Sequence, residues 1–219
     1  MIRGFLIKLL PERIKWVIRA LIEPPIEKLP NSPDLFRFYR RLIKDPLLER
    51  KPGGWIYMKN FYPDYLTVGG ASYAIRLQAE KFCNGRGVDV GAGLWPLPGS
   101  IPIDTERGPG RDFSITNIEN DSLDYIFSSH CLEHIEKWQK DLKEWISKLK
   151  KGGIVFLYLP HADCKIWGPG SPFVGCGHRW TPTPQIVKSF LQEVHCEIVQ
   201  FDDGPDAMQS FYICARKKM

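Results

Sequence analysis

Apolar residues recur at helical spacing from residue 2 to residue 22, at Ile2, Phe5, Leu6, Leu9, Leu10, Ile14, Val17, Ile18 and Leu21. Arg3, Lys8, Arg13, Lys15 and Arg19 stand between them, so the segment predicts an amphipathic basic helix. Pro11 restarts or kinks it, and Pro24-Pro25 ends it. From residue 26 to 70 prolines, charges and aromatics such as Phe36, Tyr39, Trp55 and Tyr65 mix without a period, which predicts short helices and irregular cover. Ala71 to Cys83 reads as a helix.

The period then changes. Short β-rich runs at 87–93, 100–104, 123–129, 153–160, 197–201 and 210–217 alternate with helical patterns at 137–150 and 183–194. Strands alternating with helices predict an α/β domain, with a mainly parallel, doubly wound sheet covered on both faces. The link between the last two strands, Asp202 to Gln209, is too short for a crossover helix, so those strands are expected to pair antiparallel. The predicted organisation is an extension over residues 1–70 and one catalytic domain over 71–219.

Composition adds a charge asymmetry. Residues 1–60 carry 13 Lys/Arg against 6 Asp/Glu, whereas the rest carries 17 against 19. A basic front suits phosphate, anionic lipid or an acidic partner, but it carries no nucleic-acid-binding motif, so no nucleic acid is expected. The amphipathic segment predicts peripheral membrane contact or dimerisation instead. No apolar run is long enough to span a bilayer. Six dispersed cysteines and the lack of a leader-like segment favour a reducing cytoplasm, with the membrane surface as a second location.

The chemistry-bearing residues begin at Val88-Asp89-Val90-Gly91-Ala92-Gly93, an apolar strand running into a glycine turn. Glycines there let backbone approach a ligand at the carboxyl edge of the sheet. Asp104 ends the next apolar run, where a carboxylate can accept both hydroxyls of a ribose, and Asp112 and Phe113 follow. Next come the blocks Ser122-Leu123-Asp124-Tyr125-Ile126-Phe127-Ser128-Ser129-His130-Cys131-Leu132-Glu133-His134-Ile135 and Leu149-Lys150-Lys151-Gly152-Gly153. The second reads as a helix stopped at glycine before an apolar strand.

With these blocks in this order, residues 71–219 resemble the class I S-adenosylmethionine (SAM)-dependent methyltransferases, in the type 11-like branch. The resemblance implies a Rossmann-like fold and SAM as cofactor. It also implies that Asp89, Gly91, Ala92 and Gly93 line the methionine end, Asp104 and Thr105 the ribose, Asp112 and Phe113 the adenine, and Ser129 and His130 the floor beneath the sulfonium. Trp95 replaces the usual third glycine, and only 15 residues separate Asp89 from Asp104. That contraction is similar to methyltransferases of glycan and polysaccharide pathways, which implies a small-molecule or glycan-type acceptor.

Transfer to a hydroxyl or amine requires a proton to leave, so histidines near the ligand edge are candidates. His161 follows a strand end, His178 lies on a loop of some 20 residues, and His130 joins them as the catalytic set. His134 reads as a structural hydrogen-bonder and His195 as a surface residue. The spacing His161, Cys164, Cys176, His178 could in principle hold zinc, but one half is tighter than common zinc sites, and no metal is expected. Two other functions share part of this pattern. A nicotinamide-dependent oxidoreductase needs the third glycine and a full helix that Trp95, Pro96 and Pro98 deny, whereas a non-catalytic scaffold that holds SAM would keep the same acids.

Overall fold

The computed structural model describes residues 48–52, 54–57, 59–63, 71–93, 96–105, 108–111, 113–164, 178–206 and 209–218. The predicted basic helix, Trp95, Asp112 and Cys176 lie outside the described residues. Within the segment expected to be short helices and irregular cover, three strands form an antiparallel sheet: β1 (Leu48–Lys51), β2 (Gly54–Tyr57) and β3 (Asn60–Pro63). Lys51 pairs with Gly54 and Tyr57 with Asn60, so each link is two residues long. Aromatic and β-branched residues favour such a pleated surface. The strands are too short to show a period among the prolines and charges around them.

The main sheet has six strands in the order β5-β4-β6-β7-β9-β8. They are β4 (Gly87–Val90), β5 (Ile101–Ile103), β6 (Leu123–Ser129), β7 (Leu149–Pro160), β8 (Cys196–Asp202) and β9 (Ser210–Lys217). β4 to β7 run parallel, and β9 lies antiparallel between β7 and β8. This is the Rossmann-like arrangement, with the antiparallel closing pair that the short link demands.

Helix α1 (Ala71–Ala79) packs on one face, and α2 (Trp138–Lys148) and α3 (Pro184–Glu193) on the other. Thr183 starts α3 by accepting the Ile186 amide, and Pro184 suits the first helical position. Successive β7 residues divide between two cores. Val155, Leu157 and Leu159 meet Trp138, Leu142, Trp145, Val187 and Leu191, whereas Phe156 and Tyr158 join Ala71, Ile75, Tyr125 and Phe127. With both faces covered, the strand reads as a continuous apolar run.

The glycines of the Leu149-Lys150-Lys151-Gly152-Gly153 block correct one expectation. Helix α2 ends at Lys148 and β7 begins at once, with Leu149 opposite Leu123 but Ile154 opposite Tyr125. The intervening residues bulge from the strand. Gly152 takes φ +79°, and a side chain on Gly153 would press within 2.9 Å of the Lys150 carbonyl. The pair serves the bulge, not a helix cap.

Candidate active site

Because β4, β5, β6 and β7 are parallel, Gly91, Asp104, His130 and His161 emerge at one edge of the sheet. That edge is where open α/β sheets bind ligands. The turn after β4 is built by backbone bonds: the Gly91 and Ala92 amides both donate to the Ile103 carbonyl, at 2.8 and 3.1 Å. Gly91 takes φ +79° and Gly93 φ +51°, in the left-handed region that favours glycine. Their surroundings differ. A methyl on Gly91 would overlap the Cys131 side chain, whereas a methyl on Gly93 meets none of the described residues within 4 Å. Gly91 is thus required by packing, and Gly93 is open among the described residues.

Two carboxylates hold this turn. Asp104 accepts the Gly93 amide at 2.9 Å, and its own amide donates to the Gly110 carbonyl at 3.0 Å. Asp89 is 1% exposed and accepts the Leu97 amide at 2.7 Å, so it anchors the far side of the loop. Burial, with a smaller push from the Asp104 charge, raises the Asp89 carboxyl to about 7 against the relief of the Leu97 bond. Thr105 and the Phe113 ring are exposed.

At the end of β6, the Ser128 hydroxyl donates to the Val90 carbonyl at 2.8 Å and ties the strand to β4. The Ser129 hydroxyl is buried with no hydrogen-bond partner among the described residues. His130 takes φ +48°, its amide donates to the Tyr158 carbonyl, and its Nε2 lies 2.9 Å from the Ser210 hydroxyl. Burial, then the neighbouring His178 and His134, lowers its imidazole to about 3. Such a ring is neutral near pH 7 and a weak proton acceptor, which suits positioning better than general base work.

At the end of β7, His161 Nδ1 accepts the Asp163 amide at 3.1 Å, and the Asp163 carboxylate is 3.7 Å away. In the neutral ring this bond places the proton on Nε2, which then donates. The His178 ring meets His134 edge-on, with centroids 4.7 Å apart, and His178, His134 and Glu133 are the described residues whose potential ligand atoms gather within 4.8 Å of one another. His134 lies in a short 3-10 turn, Leu132–His134, and His195 is exposed.

The glycine turn, the acid at the tip of β5 and the polar end of β6 converge on one edge, and comparison with known proteins bears on what that edge holds. Residues 70–157 match the family described as "Methyltransferase domain". The cosubstrate of such a domain is SAM. No curated protein matches the chain. Among solved structures, a putative SAM-dependent methyltransferase from Listeria monocytogenes superposes with TM-score 0.51 and 15% identity, over 69% of this chain and 99% of that one. A putative methyltransferase of Haloferax volcanii, solved in complex with the Trm112 activator, gives 0.53 and 10%, over 71% and 93%. Phosphoethanolamine N-methyltransferase 2 of Haemonchus contortus gives 0.54 and 12%, over 67% and 53%. At these identities the likeness is one of fold.

The described residues at this edge fit SAM. Gly93 leaves room for close approach, Phe113 offers an exposed ring, and the buried Ser129 hydroxyl has unmet bonding capacity. Glu133 is the residue that sequence reasoning missed. It is fully buried, and neither carboxylate oxygen has a hydrogen-bond partner among the described residues. The available signal was an acid flanked by Leu132 and Ile135, in a run that otherwise reads as core.

Proposed function

We propose that this protein transfers the methyl group of SAM to a hydroxyl or amine of a small-molecule or glycan-type acceptor. The observation that carries the reading is the open side of Gly93, fixed by Asp104, on the same sheet edge as Ser129, His130 and His161. SAM supplies an activated methyl group that moves by in-line displacement, so the protein's task is alignment and disposal of a proton. In this reading Gly91, Ala92 and Gly93 shape the methionine end, and Asp89 keeps that turn in place through Leu97. Asp104 with Thr105 takes the ribose, while Asp112 and Phe113 take the adenine. Ser129 and His130 form the floor under the sulfonium, and His161 meets the acceptor. His178, grouped with His134, borders the acceptor side.

Residues 71–219 act as the catalytic unit and residues 1–70 as an extension whose basic helix touches the membrane surface or a second copy. Sedimentation with anionic vesicles and light scattering separate those two roles. The protein works in the cytoplasm or at its membrane face. Among the described residues no helix is long and apolar enough to cross a membrane.

The deciding experiment incubates purified protein with methyl-labelled SAM and three acceptor sets: nucleotide sugars, glycans and isoprenoid-linked intermediates. Label passing to one class supports the reading. SAM binding without transfer to any of them would favour the scaffold alternative.

A further inference from the structure

We propose that Glu133, His134 and His178 form a binding site for a divalent transition-metal cation. The starting observation is energetic. Glu133 is 0% exposed, and both its oxygens lack hydrogen-bond partners among the described residues. A carboxyl group buried with no partner costs several kcal/mol unless a cation or proton compensates it. His130 Nδ1 approaches Glu133 Oε1 only to 3.7 Å, beyond hydrogen-bond distance.

The second observation is geometric and independent of titration. One ligand atom each from Glu133, His134 and His178 lie within 4.8 Å of one another, with His134 Nε2 3.9 Å from Glu133 Oε1. Bonds of about 2.0–2.2 Å put neighbouring ligand atoms roughly 3 Å apart, so the triad must close by about 1 Å. The His134 side chain is 37% exposed, which leaves its ring room to turn.

The third observation is that two separate chain segments are clamped together to make the triad. The Arg179 amide donates to the Glu133 carbonyl at 2.8 Å, and the Trp180 indole donates to the Leu132 carbonyl at 2.9 Å. Trp180 then stacks on Trp138 of α2 at 4.3 Å. These bonds fix the His178 end of its loop against the turn that carries Glu133 and His134. Support of this kind around a site is what holds metal ligands in place.

Two imidazoles and one carboxylate suit Zn²⁺, Co²⁺ or Fe²⁺, whereas Mg²⁺ and Ca²⁺ prefer all-oxygen sets. This differs from the absence of metal expected from the sequence, and from the zinc spacing considered there. The binding does not depend on which acceptor is methylated.

The test uses the full chain, stripped with chelator and titrated with Zn²⁺, Co²⁺ and Mg²⁺ by calorimetry, with Co²⁺ also followed by visible absorption. The expected result is one Co²⁺ or Zn²⁺ per chain, visible bands for Co²⁺ and much weaker Mg²⁺ binding. Glu133→Gln and His178→Ala should each weaken Co²⁺ binding at least about ten-fold, and His195→Ala, at an exposed turn, should not. Stabilisation by SAM in each variant shows that the fold survives. Absence of Zn²⁺ and Co²⁺ binding in the parent protein would overturn the proposal, as would binding undiminished in both variants.

Discussion

The Gly93 amide donates to the Asp104 carboxylate at 2.9 Å and so ties the turn after β4 to the tip of β5. A side chain that fixes the turn and, in the proposed reading, also takes the ribose has two duties, and its removal exposes both. Asp104→Ala is therefore expected to weaken SAM about 10- to 100-fold, from a lost charge-assisted bond and a turn left without its partner. Asp104→Asn, which still accepts the Gly93 amide, should lose less. Calorimetric titration with S-adenosylhomocysteine reads both, and unchanged affinity in the alanine variant would remove Asp104 from the site.

The two glycines of the same turn should fail in different ways. Gly91→Ala meets the Cys131 side chain and must keep φ +79°, so it should cost about 2 kcal/mol or more of stability. Gly93→Ala has space among the described residues and only the left-handed penalty of about 1 kcal/mol, but its methyl stands in the opening. It should fold and lose SAM affinity by about ten-fold or more. Thermal melts with and without SAM separate the cases. Equal affinity in Gly93→Ala and the parent would show that the opening is not used.

Sequence patterning located most of this edge because strands buried on both faces declare themselves. The bounds of β6 and β9, Leu123–Ser129 and Ser210–Lys217, coincide with the predicted runs, and the glycine turn falls between β4 and β5 as expected. What stayed hidden depends on pairing. The four-residue strands of 48–63 have no periodicity to read, and Gly152-Gly153 looks the same in sequence whether it stops a helix or makes a bulge. Glu133 was invisible as a buried acid because only the fold brings His178 and Arg179 against it.

His161 separates two mechanisms. Its Nδ1 accepts the Asp163 amide, so the neutral ring offers a donor at Nε2 rather than a lone pair. His161→Ala should leave SAM affinity within about two-fold and lower kcat about a hundred-fold, the usual scale for a positioned polar group. His161→Gln keeps a donor but cannot take a proton. Recovery to within about ten-fold of the parent in this variant, measured with the acceptor that the label screen identifies, marks an orienting role. A loss as deep as in the alanine variant marks a base.

Asp89 makes stability depend on pH in a direction opposite to that of a salt-bridged acid. Its folded carboxyl is raised to about 7 by burial, from an ordinary value of 3.8. Between those values the folded chain holds a proton that the unfolded chain has released. The contribution is therefore fully present below pH 3.8 and lost as pH rises through about 7. Asp89→Asn keeps an oxygen for the Leu97 amide and carries no charge, so it should escape this loss. Relative to the parent, the variant should gain roughly 2–3 kcal/mol between pH 5 and pH 8. Urea unfolding of both proteins at the two pH values measures the difference, and parallel pH profiles would mean that Asp89 titrates in the normal carboxylate range.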